Sequence, residues 1–417
     1  MLWIVACFVL LLTGAEPALA ADAANCTACH VTQVQGAHAG LACSACHGED
    51  AGNAAVVRLA QRAEERCRMC HPGMEQVLLG PMHGRSAEKA FVARSFGRED
   101  PHFFEANCNG CHVEGCLDCH GGDGHSIARP QRDDCAACHR GYFIGADYYG
   151  LAPREDALRY QRGPSYGGEH YLKMLPDVHA EAGLACGDCH DMASLAAGRK
   201  TGKGCRDCHT PDPAVIEHSI AAHLDKLECA ACHAAWAPQE YGTFYLRDRR
   251  GDQKQFFRLR DQAGEGYLKS AYLRRQDAPP LGLDAAGKVS PIRPQFIAYF
   301  SELGESRPAG VENRLLAAEW RAFTPHTIRR GTPLCDACHD NPARFVQEDP
   351  VRRIYQPDRD GMTLESFWNV KGQRVVNGSF FSVERVRLLR NRSPEYVRKY
   401  LERWQSLIEN VDASSPP

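Results

Sequence analysis

Ten times in this chain of 417 residues two cysteines stand three positions apart, and each time a histidine follows the second. The first five copies are Cys26-Thr-Ala-Cys29-His30, Cys43-Ser-Ala-Cys46-His47, Cys67-Arg-Met-Cys70-His71, Cys108-Asn-Gly-Cys111-His112 and Cys116-Leu-Asp-Cys119-His120. The other five are Cys135-Ala-Ala-Cys138-His139, Cys186-Gly-Asp-Cys189-His190, Cys205-Arg-Asp-Cys208-His209, Cys229-Ala-Ala-Cys232-His233 and Cys335-Asp-Ala-Cys338-His339. A zinc site takes four ligands drawn from two such pairs and has no use for a histidine at the same place in every copy. A disulfide framework suits an exported chain but leaves ten histidines unexplained. Iron–sulfur ligation leaves them unexplained too. Covalent haem uses all three residues: two thioether bonds to the vinyl groups, and the histidine under the ring as the proximal iron ligand. The expectation is ten covalently attached c-type haems.

What such a haem does depends on its sixth iron position. A second protein ligand gives a closed electron carrier, and an open position can bind a substrate. Nine histidines lie outside the motifs: His38, His83, His102, His125, His170, His179, His218, His223 and His326. Nine histidines beside ten motifs are expected to be mostly distal ligands. The supply is one short, so at least one haem has another ligand or none. Met82, Met174 and Met192 are candidates that nothing singles out.

The elements that must position these residues are short. Nine motifs fall between Cys26 and His233, about one per 23 residues, too little chain for an apolar core around each cofactor. The haems themselves are expected to form the core, with attachment and folding one event. Gly, Pro and polar connectors between the motifs predict short helices and loops. The surroundings of the motifs repeat as well: His38-Ala-Gly-Leu-Ala-Cys43 returns as His179-Ala-Glu-Ala-Gly-Leu-Ala-Cys186, and more loosely as His223-Leu-Asp-Lys-Leu-Glu-Cys229.

Residues 240–334 contain no motif. Their aromatic and aliphatic runs at Phe244–Leu246, Tyr267–Leu273 and Phe296–Phe300 predict short strands. Near the C-terminus, Ser393 as a cap, Pro394 and Glu395 predict a helix start. Val397, Tyr400, Leu401, Trp404, Ile408 and Val411 follow at helical spacing, with Trp404 expected to pack. The fold class expected is a haem-packed multihaem cytochrome c of short helices and loops, with a small β-containing haem-free segment and a C-terminal helix. Its parts are residues 1–20, 21–239 (nine motifs), 240–334 (haem-free, β-rich insert) and 335–417 (tenth motif and helical region).

The whole chain has 49 Lys and Arg against 52 Asp and Glu, which gives no basic signature for nucleic acid. Charge is uneven: residues 240–417 carry 29 basic against 23 acidic side chains, and the first 239 carry 20 against 29. Arg247, Arg249, Arg250, Arg329 and Arg330 are expected to pair with haem propionates. A docking face for an acidic redox partner is the alternative. Residues 1–20 hold an apolar run from Leu2 to Leu12 and the small-x-small sequence Ala18-Leu19-Ala20. They read as a signal peptide cut after Ala20 and taking Cys7 with it, the alternative being an uncleaved anchor. No later segment is apolar enough to span a membrane.

The stretches Ala152-Pro-Arg-Glu-Asp, Arg159-Tyr-Gln-Arg-Gly, Tyr171-Leu-Lys-Met-Leu-Pro-Asp-Val-His179 and Glu240-Tyr-Gly-Thr-Phe-Tyr-Leu-Arg247, together with the ten motifs, resemble multihaem c-type cytochromes of metal-reducing bacteria. Among these the chain is most similar to the decahaem c-type cytochromes encoded in selenite/tellurite-reduction operons. The resemblance implies a periplasmic or cell-surface carrier in anaerobic respiration, and redox proteins as donor and acceptor. It does not imply that this chain itself reduces selenite. Two rival functions stay open: a reductase of nitrite, hydroxylamine or a sulfur or selenium oxyanion at one open haem, and a subunit of a haem filament or outer-membrane assembly.

Overall fold

A computed structural model of the protein describes residues 34–47, 59–109, 112–121, 125–136, 139, 148–151, 162–166, 169–173, 177–197, 202–249, 266–304, 308–347 and 374–414. The leader, the first motif (Cys26, Cys29, His30), Cys111, Cys138 and Arg250 lie outside them. The chain divides into two units. The first comprises Met1–Arg85, His112–Cys135 and Cys186–Gly202; the second comprises Ser86–Cys111, Ala136–Ala185 and Lys203–Pro417.

Short helices build the first unit, among them Cys43–His47, Leu59–Cys70, Pro81–Gly84, Leu117–His120 and Cys186–Cys189. Its described residues include no strand. None of the buried apolar side chains belongs to it either, and Met69 and Leu79 are 72 % and 76 % exposed. The described residues of this unit therefore show no apolar core to set against the entropy of ordering them.

The second unit does have a core, built on a sheet. Strands β1 (Tyr148–Leu151), β2 (Arg162–Tyr166) and β3 (Glu169–Lys173) form a small sheet of order β1-β3-β2. The larger sheet contains β4 (Trp236–Asp248), β5 (Tyr267–Asp277), β6 (Leu281–Asp284), β7 (Val289–Leu303), β8 (Pro308–Ala322), β9 (Arg374–Val375) and β10 (Gly378–Ser379). Its centre is β7, antiparallel to β6 and β8 and parallel to β4. Side chains alternate across a strand, and on β7 both faces are covered. Ile297 and Tyr299 pack with Ala318, Trp320 and Val375. Ala298 and Phe300 pack instead with Phe91, Phe96, Phe103, Tyr245 and Tyr267. Glu319, buried in β8, ties the sheet to its surroundings: Arg94 donates to both its oxygens at 2.9 and 2.7 Å, and Arg374 reaches it at 3.2 Å.

The strand runs expected at 244–246, 267–273 and 296–300 fall within β4, β5 and β7. The sheet starts at Trp236, ahead of the expected boundary at 240, and its two ends meet. Ala234 bridges Ile328, Ala235 N–H donates to Thr327 C=O at 3.0 Å, and the Thr327 hydroxyl donates to Trp236 C=O at 2.5 Å. The chain thus leaves the ninth motif, builds the sheet and returns to where it left.

The arginines expected to face propionates or a partner are mostly engaged within the protein. Arg247 lies 3.3 Å from Asp100 and 3.9 Å from Glu302, Arg249 lies 3.2 Å from Glu302, and Arg329 lies 3.1 Å from Glu181. Asp100 is buried; burial raises its pKa, but hydrogen bonds from the Tyr267 hydroxyl and the His102 N–H, with the charge of Arg247, outweigh this and lower it. A free docking surface at Arg247 is therefore corrected to an internal ion pair.

The C-terminal helix spans Pro394–Ser414, and Tyr396 N–H donates to the Ser393 hydroxyl at its start. Three side chains on one stripe hold it: the Tyr396 hydroxyl lies 3.2 Å from Cys335 Sγ, Lys399 donates to Ser219 C=O at 2.8 Å, and Arg403 donates to Ala214 C=O at 2.9 Å. The adjoining apolar stripe of Val397, Tyr400, Leu401, Trp404 and Ile408 is exposed, Trp404 at 49 %. Packing of Trp404 is corrected accordingly, because the helix is held by its polar stripe and not by its apolar one. Among the described residues no helix is long and apolar enough to cross a membrane.

Candidate functional site: paired histidines

The motifs that the described residues cover in full each close one helical turn. The histidine N–H donates to the carbonyl of the first cysteine in His71→Cys67, His120→Cys116, His190→Cys186, His209→Cys205, His233→Cys229 and His339→Cys335, at 2.8 to 3.1 Å. Residues i, i+3 and i+4 of such a turn share one face, so both sulfurs and the imidazole point the same way. All sixteen described motif cysteines are free, which a disulfide framework would not leave them.

Six motif histidines each meet one histidine from outside the motifs. The ring centres are 6.1 Å apart for His71 and His38, 6.0 Å for His47 and His125, and 5.8 Å for His112 and His83. They are 5.9 Å apart for His209 and His179, 6.0 Å for His233 and His218, and 6.2 Å for His339 and His223. The distance barely varies, yet the angle between ring planes runs from 23° to 87°. Aromatic packing selects an angle as well as a distance. Two imidazoles bound to one metal from opposite sides keep the distance and stay free to turn about the common axis. Metal–nitrogen bonds of about 2 Å, with about 1 Å from each nitrogen to its ring centre, put the centres about 6 Å apart. Among the described residues no three or more His, Cys, Asp or Glu side chains gather as a metal cluster would. These twelve histidines meet in twos, an arrangement in which each pair could hold one metal between its rings.

Hydrogen bonds at the other ring nitrogen orient several of these imidazoles. His83 Nδ1 lies 2.6 Å from Val113 C=O, His233 Nδ1 lies 3.3 Å from Arg329 C=O, and His339 Nδ1 meets Leu389 C=O. A proton on Nδ1 leaves the Nε2 lone pair free for a metal. Burial, then the neighbouring His339, pushes the His223 pKa below its ordinary value. His38, His112 and His218 have a buried Nδ1 without a partner.

Asp177, which sequence reasoning did not single out, organises the most elaborate of these sites. One oxygen of its buried carboxylate accepts from both the backbone N–H and Nδ1 of His179, at 2.8 and 2.7 Å. The other accepts from Ile328 N–H at 2.5 Å, next to Arg329, whose carbonyl faces His233. Asp-x-His at a helix start was the signal available, since the same carboxylate caps the helix Val178–Glu181.

The repeated sequence unit acquires a meaning here. His38, His179 and His223 each stand five to seven residues before a motif. None pairs with that motif's histidine; each pairs with the next one along, His71, His209 and His339. The unit is therefore two motifs long. The sheet is inserted inside the third copy, which separates the ninth motif from the tenth in sequence but not in space. Ala231 of the ninth motif and Cys338 of the tenth lie in one core with Leu281, Phe345 and Phe381.

Cysteines of successive motifs also approach each other. In the first unit the Cys135 thiol hydrogen-bonds to Cys186, which draws the Cys186 pKa down to about 6, and Cys119 affects Cys135. In the second unit Cys205 makes the same contact with Cys229, likewise drawn down to about 6. The charge on Cys338 is felt at Cys232. Motifs five, six and seven are neighbours in that order, as are motifs eight, nine and ten.

The remaining predicted residues are less complete. His120 donates towards Ala128 C=O at 3.0 Å and meets no second histidine ring among the described residues. His102 precedes the helix Phe103–Asn107, its N–H donating to Asp100, and also meets no such ring. His139 and His326 are exposed, and an alanine side chain at Gly202 would clash with the His190 ring. His170 lies in β3, opposite Ser165 of β2. The chain matches no known protein family, no curated protein and no solved structure.

Proposed function

We propose that this chain is an exported ten-haem c-type cytochrome whose work is carrying electrons, in the manner of the multihaem cytochromes that its motifs resemble. The observation that carries the reading is the set of six histidine pairs at 5.8 to 6.2 Å, each joining one motif histidine to one from elsewhere. When bound, haem supplies a one-electron iron couple. The residues of the chain do the rest. Each cysteine pair would hold a haem covalently, each histidine pair would ligate its iron and leave no place for substrate, and Nδ1 partners would set imidazole orientation and basicity. Contacts between cysteines of successive motifs bring neighbouring cofactor edges together, as stepwise electron transfer needs. Donor and acceptor are redox proteins, and the place of work is the periplasm or cell surface.

One specific observation favours a second reading. Nine non-motif histidines stand beside ten motifs, and His120 meets no second histidine ring among the described residues. An iron left open there is where a reductase of small nitrogen or oxygen-bearing anions would work. Coulometric reduction with optical and EPR detection separates the two. The carrier reading expects ten electrons per chain, low-spin signals from nearly all irons, and no response to nitrite, hydroxylamine or selenite. A high-spin signal that changes when one of these is added, with turnover, would favour the reductase. Uptake of no electrons by iron would remove both.

A further inference from the structure

Arg344 is a cation inside an apolar core, and no described acidic side chain answers its charge. Its side chain is 4 % exposed and lies in the turn Pro342–Phe345, beside the core shared by the ninth and tenth motifs. Nη2 donates to Ala231 C=O at 3.1 Å, while Nε and Nη1 are buried with no hydrogen-bond partner among the described residues. The charges that reach it come from Cys338 and Cys232, and a thiol turned into a thioether has no charge to give. Burial lowers the Arg344 pKa from its ordinary value, yet a guanidinium stays protonated in proteins. A buried charge with donors unfilled is strongly unfavourable unless an anion meets it. Nη2 keeps a second N–H beside its bond to Ala231, and with either Nε or Nη1 it makes a planar fork that suits a carboxylate held by two parallel bonds.

We propose that Arg344 is an anion-binding residue between the ninth and tenth motifs, and that the anion it holds is a propionate carboxylate of a haem attached there. The proposal rests on the haem reading above. Arg344 then keeps that carboxylate ionised inside the core, and its positive charge favours the reduced iron of the same haem. Arg344 is a residue of electrostatic control within the path from motif eight to motif ten.

The test uses full-length, haem-loaded protein and two variants, R344M and R344K. Intact mass comes first: if the wild-type chain carries no covalent haem, the parent reading fails and not this one. With ten haems present, potentiometric titration from pH 5 to 9 should show one haem of R344M reduced at least tenfold less favourably, about 59 mV for one electron. That potential should also gain a pH dependence absent from wild type, because an unpaired propionate takes up a proton in this range. R344K keeps the charge and should show a smaller shift. R344M and wild-type curves that superimpose at every pH would overturn the proposal. If R344M does not load ten haems, infrared difference spectra of wild type and R344K with isotope-labelled propionates decide. A shifted propionate band is expected. An unshifted one, or a shift confined to unlabelled carboxylates, whether from the protein or from a small acid in solution, would overturn it.

Discussion

At the scale of single residues, the local geometry of the motifs was legible, because cysteines and histidine at i, i+3 and i+4 share one face of a turn. The partner of each histidine was not. Nine candidates can be read from the sequence, but which ring each one faces is a property of chain paths. His218 pairs within its own neighbourhood, with His233, whereas His38, His179 and His223 each pass over the nearest motif. The arginines were read less well: a count of basic side chains pointed to propionates or a partner, and in the fold Arg247 meets the buried Asp100, while Arg249 and Arg329 form ion pairs at the surface with Glu302 and Glu181. Asp177 gives the sharpest residue-level prediction. A carboxylate on the far nitrogen of a ligating histidine raises its basicity and favours the oxidised metal. On the proposed haem reading, Asp177→Asn should therefore raise the potential of one haem, the one that His209 and His179 would hold, and loosen the Ile328 contact. Spectropotentiometry checks this. An unchanged set of ten potentials would show that Asp177 only caps a helix.

At the scale of elements, strands in the haem-free segment were legible from their aromatic runs, but their role was not. A pattern of apolar residues says that a strand is buried, not which elements bury it. The sheet packs one face on the Phe91 to Phe104 region and closes its ends at Ala234 and Ile328, so it belongs to the architecture of the ninth and tenth motifs. Trp320, fully buried in β8, tests this. Trp320→Ala should cost about 3–5 kcal/mol of stability and lower the melting temperature of the haem-loaded protein. The mass should still show ten haems, since no ligand lies in the sheet. Loss of the tenth haem alone would mean that the sheet holds the His223–His339 pair in place rather than merely supporting the unit. The C-terminal helix was legible in its start and period. Its exposed apolar stripe was not, because periodicity identifies an apolar face without showing that anything covers it.

At the scale of the whole molecule, the two units differ in what can hold them together. The second has an apolar core around β7 and Trp320. The first shows no buried apolar side chain among its described residues, and its histidine pairs are set about 6 Å apart. On the haem reading its core is the cofactor, and the first unit should be the part that fails to fold when haem attachment is prevented. Chain length and motif density already pointed to this. What the sequence could not show is that the second unit has a protein core of its own. The central claim, ten covalent haems on one chain, is tested most directly by intact-mass measurement under denaturing conditions on protein matured with a haem-attachment system. Noncovalent metals are lost in that measurement and thioether-linked haems are kept. The account predicts a single species with ten haems per chain; an unmodified chain, or one with fewer than nine haems, would contradict it.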